Sequence, residues 1–450
     1  MGEAGVARTG IVGVMKNPGK VIIIQGGQWG SEAKGLITHK LTLERGVTTA
    51  IRTGTVNAGH TVYYGGRAYA MQQLPVSWVK PDCKLVLGPG AYIHPDILRR
   101  EVEWISRATG ETEWGVLQRV WIDHRCGLHL PLHTDRAKTA DRHHKMGATG
   151  KGCSEAVVDK ITHRGTGQQV LFKDWVEGAA ENGGWWQMVA DRVKDGVRMA
   201  NWAYDDGQTL IVEGTQGTLL DLHLGDYPYT THKQTQAANW LAEAGLACTV
   251  EKEVWGVYRT YPIKVAGNSG PMPGETSWGK VAHHVNTHGM DVISNEALQE
   301  WSQAVEFVAR EKYNIPVSVP PDPSLWTQEE KEHWRLAASE IHADVLLSLP
   351  DSVRRELEGF FELTTVTKKL RRIGAWDWPT FRHSILLNRP THLALTFMNY
   401  KFPDMWGAGE NAVYPEKMLE WVRDVSREAR YARVGILSFG PQLEHTHYIG

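Results

Sequence analysis

A lysine, a histidine and three glycine-rich turns are the parts of this chain whose residue types and spacing suit chemistry. Lys34 stands near the end of Gln28-Trp29-Gly30-Ser31-Glu32-Ala33-Lys34-Gly35, just after the apolar run Val21-Ile22-Ile23-Ile24. A glycine turn from a buried strand into a helix offers main-chain N–H groups and a positive dipole end to an anion. A mobile lysine ammonium there reaches a transferred phosphoryl group. The same composition also serves an ordinary strand–turn–helix corner. Gly-x4-Gly-Lys-[Ser/Thr] does not fit, so this is no Walker A loop. Asn57-Ala58-Gly59-His60-Thr61 has the make-up of a ligand-facing loop. A lone histidine is more often structural than catalytic, so His60 needs support from elsewhere. Thr149-Gly150-Lys151-Gly152 can wrap a phosphate with main-chain donors, although flexible surface loops share its composition. Lys368-Lys369-Leu370-Arg371-Arg372 is a basic run, either a solvated face or a clamp for carboxylates.

These residues need a frame. Val21–Ile24 reads as a strand buried on both faces, followed by a helix from about Lys34. Leu85-Val86-Leu87-Gly88-Pro89-Gly90 reads as a strand and turn. Pro95-Asp96-Ile97-Leu98 opens a helix to about Arg107, with Ile97, Leu98, Val102 and Ile105 near helical spacing. Leu210-Ile211-Val212-Glu213 runs into a polar glycine turn, and His392–Thr396 and Gly435–Pro441 are late strands with polar ends. Strands that repeatedly end this way predict an α/β fold: a large, mostly parallel central sheet flanked by helices, with ligands at the carboxyl strand ends. Residues 1–20 read as a loose leader to a single domain spanning 1–450. Residues 266–360 predict an inserted helical subdomain. A loop over 267–274 comes first; the capping box Thr327-Gln328-Glu329-Glu330 then starts a helix striped with Trp334, Ala337, Ala338, Ile341 and Val345.

Hydrophobic residues at 42% and charged residues at 22% of 450 are globular values. A net charge of −2 argues against nucleic-acid or membrane-surface partners. No apolar run reaches transmembrane length and no signal-peptide region is visible, so the expectation is a cytoplasmic protein. Cys83, Cys126, Cys153 and Cys248 lack CxxC pairing, which argues against a zinc site or disulfide framework. The tryptophans are dispersed, and core packing accounts for most of them.

Taken in order along nearly the whole chain, these segments resemble the adenylosuccinate synthetase family. The family's Gln-Trp-Gly-Asp-Glu-Gly-Lys-Gly matches Gln28–Gly35, and its Asn-Ala-Gly-His-Thr is intact at Asn57–Thr61. Its Thr-Gly-Arg-Gly matches Thr149–Gly152 with Lys151 for arginine. Its Glu-Gly-Ala-Gln-Gly-Thr-Leu-Leu-Asp matches Glu213–Asp221, and its Tyr-Pro-Tyr-x-Thr matches Tyr227–Thr231. The resemblance implies a carbon–nitrogen ligase that phosphorylates the 6-oxo group of a purine nucleotide with GTP. Aspartate nitrogen then displaces that phosphate. It implies Mg²⁺, ligated at Ser31 and Gly59, and a homodimer. Ser31, Lys34 and His60 would be catalytic, with His60 as general acid. The acceptor nucleotide would lie on Ser31, Asn57, Thr149, Gly150, Arg164, Gln216, Thr231 and Val265. Thr367, Lys369 and Arg371 would hold aspartate. The triphosphate would meet Gly30, Glu32, Ala33, Lys34, Gly35, Gly59, His60, Thr61, Asn399 and Gly440.

Two departures from the family redirect the substrates. Ser31 stands where the family has a catalytic aspartate that removes the N1 proton of hypoxanthine, and the smaller neutral hydroxyl makes room beside C2 for guanine's amino group. Thr396-Phe397-Met398-Asn399 stands where the family reads guanine with Thr-Lys-Leu-Asp; Asn399 offers one donor and one acceptor, which matches adenine. Both changes are similar to a phage-encoded branch that uses ATP to join L-aspartate to C6 of dGMP, giving N6-succino-2-amino-2′-deoxyadenylate, a precursor of 2-aminoadenine DNA; the host cytoplasm is then the expected location. Two other readings stay open: a divergent ligase acting on IMP, and a non-catalytic purine-nucleotide sensor. Ungapped matching also places His163 where the family's arginine reaches the partner subunit's nucleotide phosphate, with Arg164 beside it as a substitute. Lys369 in place of arginine loses bidentate geometry.

Overall fold

The computed structural model describes residues 17–449 except 141–145, 147–148, 182, 266, 291, 314–340, 343, 347 and 364–369. Most of the expected leader therefore lies outside the described residues, and Lys20 already opens the first strand. In chain order the strands are β1 (Lys20–Gly26), β2 (Thr49–Gly54), β3 (His60–Tyr64), β4 (Arg67–Met71), β5 (Lys84–Ile93), β6 (Val120–Asp123), β7 (Gly127–Leu128) and β8 (Val193–Lys194). They continue with β9 (Thr209–Glu213), β10 (Lys252–Arg259), β11 (Ile263–Lys264), β12 (Glu275–Thr276), β13 (Arg372–Gly374), β14 (His392–Thr396), β15 (Arg433–Ser438) and β16 (Thr446–Tyr448).

The main sheet runs β16-β15-β14-β10-β1-β9-β2-β5-β6-β8, with β7 also paired to β5. Its neighbours pair in parallel except β15 with β16. This is the α/β fold with a large, mostly parallel sheet that the strand endings predict. Helices cover both faces. Val21 and Ile23 pack with Met199, Trp240 and Leu241 on one side, while Ile22 and Ile24 pack with Ile37, Leu41 and Trp78 on the other. A strand covered on both faces must be apolar at every position, which explains the unbroken run in β1. Parallel strands present their carboxyl ends along one edge, so the loops after β15, β14, β10, β1, β9 and β2 are neighbours there.

Gly88-Pro89-Gly90 is not a turn, because β5 continues through it to Ile93. The register between β2 and β5 shifts between Arg52 and Gly54. Such an irregularity accommodates a proline, which has no N–H for the ladder. Gly90 is needed because a Cβ there would lie 2.6 Å from the Glu243 Cβ.

The helices Trp278–Thr287, Asn295–Tyr313 and Asp351–Phe360 gather around a core of their own, which includes Trp278, Val281, Trp301, Val305, Ile341, Val345 and Leu357. The small antiparallel sheet β11-β13-β12 adds Ile263 and Ile373 to that core. The capping box at 327–330 and Trp334, Ala337 and Ala338 lie outside the described residues. Among the described residues no helix is long and apolar enough to cross a membrane. The four cysteines are free.

Candidate functional site

The loop after β1 takes unusual backbone. Gly30, Ser31 and Ala33 have φ of 88°, 60° and 64°. Side chains with a Cβ rarely adopt that region, so Ser31 and Ala33 are held in it by their surroundings. The holding group is Glu32, which is completely buried. One carboxylate oxygen accepts from the main-chain N–H of Gln28 at 3.0 Å and of Gly30 at 2.8 Å. The other accepts from Lys34 Nζ at 2.5 Å. Two corrections follow. Two of the N–H groups expected to face an anion already face Glu32, and Lys34 is a buried, ion-paired group rather than a mobile ammonium. Glycine at position 26 makes this possible, since a Cβ there would lie 2.8 Å from both Glu32 Oε2 and Lys34 Nζ. The helix Lys34–Glu44 starts without a side-chain cap, so its first-turn N–H groups stay available to a ligand.

His60 finds the support that the sequence left open. Its Nδ1 lies 2.5 Å from Glu213 Oε1, at the end of β9. Glu213 is buried and also accepts from Arg52 Nη1 at 2.7 Å and from the Val76 N–H at 2.8 Å. Burial pushes the Glu213 carboxyl up, but Arg52 and His60 outweigh it and leave it below its ordinary value. Burial, and then the Arg52 charge, draws His60 down to about 4 against the pull of Glu213. The resting ring is therefore neutral, with Nδ1–H donating to Glu213 and Nε2 left as the acceptor. Gly35 packs directly on this histidine: a Cβ at 35 would lie 3.0 Å from the His60 Cβ.

Ser31 meets the far end of the chain. Its Oγ accepts from Arg371 Nη1 at 3.0 Å, and its carbonyl accepts from Arg259 Nη1 at 3.2 Å. Arg259 is fully buried, lies 3.7 Å above the Phe397 ring and pairs with Glu362. Burial lowers the Arg371 guanidinium from its ordinary value; Glu362 opposes that shift and Arg259 adds to it. Of the basic run, Arg372 is committed elsewhere, donating to both Glu275 oxygens at 2.6 and 2.7 Å. Thr367 and Lys369 lie outside the described residues.

Asn57 and Gln216 follow β2 and β9 at the carboxyl edge of the sheet. Asn57 Oδ1 accepts from Thr55 Oγ1 at 2.8 Å. Gln216 has φ of 62°, and its carbonyl faces Gly26. Thr149 is exposed and Gly150 buried. The Thr231 hydroxyl lies 3.3 Å from His232 Nδ1, and the Val265 carbonyl accepts from Ser269 Oγ at 2.7 Å. Gly59 and Thr61 are exposed. Asn399 is buried in the short helix Met398–Lys401, and its Oδ1 has no hydrogen-bond partner among the described residues. Thr396, three residues earlier, donates its hydroxyl to the Glu32 carbonyl at 3.0 Å, tying that segment to the β1 loop. Gly440 follows β15, and a Cβ there would lie 2.5 Å from His445 Nδ1. Arg164 stands apart: it is exposed, with Nε donating to the Ile161 carbonyl at 2.9 Å. His163 turns back towards Asp159.

Sequence reasoning missed Glu213, Arg52, Arg259 and Glu362 as site residues. A signal existed for Glu213: a carboxylate ending a buried strand must find cationic or hydrogen-bonding partners. For Arg259 and Glu362 the pairing spans 103 positions, and no local pattern reports it.

Of the expected metal ligands, Ser31 offers a neutral hydroxyl already beside a guanidinium, and Gly59 offers a carbonyl. Mg²⁺ prefers carboxylates together with substrate phosphates. The donor set fits a cation carried in on a triphosphate and does not fit a resident one. A separate grouping of Asp123, His124 and Asp195 is neutralised by Arg125, which reaches the two carboxylates at 2.7 and 2.8 Å.

The chain matches the family described as adenylosuccinate synthetase over residues 23–182 and 176–299. The adenylosuccinate synthetase of Thermococcus onnurineus is 28% identical over 425 residues, covering 94% of this chain and 96% of that protein. That of Methanococcus vannielii is 29% identical over 426 residues, covering 94% and 97%. Among solved structures, cyanophage S-2L succinoaminodeoxyadenylate synthetase (PurZ), bound to dGMP and dATP as an energy donor, superposes with a TM-score of 0.65 at 23% identity, covering 96% of each chain. Fully ligated adenylosuccinate synthetase from Plasmodium falciparum gives 0.64 at 17% identity, covering 96% and 100%. A ligase that joins aspartate to a purine nucleotide, and uses Mg²⁺ and a nucleoside triphosphate to do so, accounts for these matches: the chain belongs to the adenylosuccinate synthetase family.

Proposed function

We propose that this chain joins L-aspartate to C6 of dGMP through a 6-phosphoryl intermediate, with ATP as donor. The products are N6-succino-2-amino-2′-deoxyadenylate, ADP and phosphate. The observation that carries the reading is Ser31. A small neutral hydroxyl, held 3.0 Å from Arg371, takes the place of the family's carboxylate. A purine 2-amino group fits beside serine, where an aspartate would crowd it. The Oδ1 of buried Asn399, without a hydrogen-bond partner among the described residues, supports ATP, because an adenine amino group would satisfy it. PurZ, solved with dGMP and dATP bound, is a fold neighbour, which is in keeping with this reading.

The residues divide the work by charge. A phosphoryl group entering beside α1, the helix Lys34–Glu44, competes with Glu32 for Lys34 and meets the first-turn N–H groups. Charge on the departing phosphate is stabilised by the helix-start N–H groups already in place and by the share of Lys34 it draws from Glu32. His60, oriented through Glu213, presents Nε2 to the 6-oxygen region, where rising negative charge favours the imidazolium that can return a proton. Arg371, with Thr367 and Lys369, holds the aspartate carboxylates, and Asn57, Thr149, Gly150 and Thr231 hold the nucleotide phosphate. Gln216 and Val265 face its sugar and base. Arg164 serves the phosphate of a partner subunit in a homodimer, which suits its exposure. Gly30, Ala33, Gly35, Gly59, Thr61 and Gly440 shape the ATP channel.

IMP as acceptor is the second reading, and the curated relatives favour it because they are adenylosuccinate synthetases. Incubating the protein with Mg²⁺, aspartate, ATP or GTP, and each of dGMP, GMP, IMP and dIMP separates the two. Succinyl-nucleotide formation from dGMP with ATP is expected; product from IMP alone would overturn the proposal.

A further inference from the structure

We propose that His129, assisted by His232, contacts the 5′-phosphate of the acceptor nucleotide and takes up a proton when that phosphate binds. The proposal rests on the placement of the phosphate at Asn57, Thr149, Gly150 and Thr231 proposed above, and not on the identity of the base.

His129 follows β7 and is 1% exposed, yet neither ring nitrogen meets hydrogen-bond geometry with any described residue. Such a group costs free energy until a partner arrives. Two other imidazoles stand beside it. His94 lies edge-on at 5.3 Å, and His133 stacks at 5.5 Å and 7°. His133 is already committed: Nδ1 accepts from the Leu130 N–H at 2.9 Å, and Nε2 donates to Asp159 at 3.1 Å. His94 leaves Nδ1 without a partner among the described residues.

The expected phosphate segments converge on this cluster. The Lys151 carbonyl lies close enough to His129 to favour a charged ring, and it accepts from the Thr134 hydroxyl at 3.2 Å. Gly152 presses on the His133 main chain so closely that a Cβ would lie 2.3 Å from its carbonyl carbon. Cys153 reaches back to Thr55 and Asn57. On the other side, His232 feels His129 and adjoins Thr231.

The charges around His129 leave an excess of cation. Asp159 is shared by His133 and Arg136, and Glu243 is paired with Lys233. Asp96 and Arg100 flank His94 with opposite signs, while Lys151 faces His129 and His94 and is itself near Arg100 and Lys138. A dianionic phosphate is the group that would complete such a site. Burial, with neighbouring cationic charge, holds His129 and His232 at about 3, so both rings are neutral before the phosphate arrives. A phosphate oxygen beside the ring reverses that balance: imidazole takes a proton from solvent and donates it in a hydrogen bond.

The test is His129→Phe, which keeps an aromatic ring of similar size and removes both nitrogens. KM for the nucleotide acceptor should rise at least tenfold, with kcat and the aspartate KM within about twofold. Calorimetric titration with dGMP, and separately with IMP, in two buffers of different ionisation enthalpy should show proton uptake in the unaltered protein and none in the variant. Unchanged nucleotide KM with unchanged uptake would overturn the proposal. His129→Asn gives a second reading if the phenylalanine variant does not fold: it keeps an N–H donor but cannot gain a proton. Uptake should vanish while KM rises less, and retained uptake would overturn the proposal. Because the effect concerns the phosphate, a protein that prefers IMP would refute the dGMP assignment and still show the His129 effect on IMP.

Discussion

Ser31 and Arg371 are 340 positions apart, yet Arg371 Nη1 donates to Ser31 Oγ at 3.0 Å. The contact joins the loop after β1 to the segment entering β13, and so joins the phosphoryl-transfer corner to the expected aspartate clamp. It also gives Ser31 a defined partner in a strained loop, where φ is 60°.

Ser31→Asp is expected to remain folded, because the new carboxylate gains Arg371 as an ion-pair partner. The kcat/KM for dGMP should fall about 10–100-fold through crowding at the 2-amino group, and IMP turnover should rise. Steady-state kinetics on both acceptors check this, and unaltered dGMP kinetics would remove Ser31 from the specificity role.

Asn399→Asp should raise the use of GTP relative to ATP. A buried aspartate offers only acceptors, so it mispairs with adenine N1 and suits guanine. A mispaired buried polar group costs about 1–3 kcal/mol, or roughly 5–150-fold. The ratio of kcat/KM for the two donors reads the effect directly.

Glu213→Gln tests the orientation of His60. The amide can still accept from Nδ1–H, but Arg52 loses its buried counter-charge and the developing imidazolium loses its stabiliser. We expect kcat to fall about 10²-fold or more, with a smaller change in the ATP KM. Breaking a buried ion pair also costs about 3–5 kcal/mol of stability, so thermal melts must accompany the kinetics. A normal kcat in a destabilised variant would make Glu213 structural only.

Stability should fall as the solution is acidified below pH 6.5. Burial lowers His342, stacked on Trp301 at 5.4 Å, to about 4. Between pH 6.5 and about 4 the unfolded chain binds a proton at this position that the folded chain excludes. The loss is about 1.4 kcal/mol per pH unit in that window. His342→Phe keeps the stack and removes the titration, so its melting temperature should drop less between pH 7 and pH 5. An equal drop would show that His342 titrates alike in both states.

Much of this arrangement was legible before the fold was known, and the reasons are physical. The run Val21–Ile24 reads as a doubly covered strand and the glycines after it as a turn, so the corner bearing Lys34 followed from local rules. The state of Lys34 did not. Its partner Glu32 is two residues away, but the pairing depends on a buried loop that the sequence does not describe. Gly88–Gly90 misled for the opposite reason: local turn chemistry was overridden by pairing with β2 across an irregular register. Contacts such as His60 with Glu213, or Arg259 with Glu362, are set by which strands become neighbours. That information resides in the sheet order β14-β10-β1-β9-β2 and not in any one segment.

The most direct test of the substrate assignment is a one-pot competition. The protein is given ATP, Mg²⁺ and aspartate with equal concentrations of dGMP and IMP, and the two succinyl products are separated and counted at early time. Because the ratio of products equals the ratio of kcat/KM values, neither saturation nor enzyme concentration affects it. Serine at position 31 predicts that the dGMP-derived product exceeds the IMP-derived one at least tenfold. Equal amounts, or an excess from IMP, would contradict the assignment of guanine as the acceptor base.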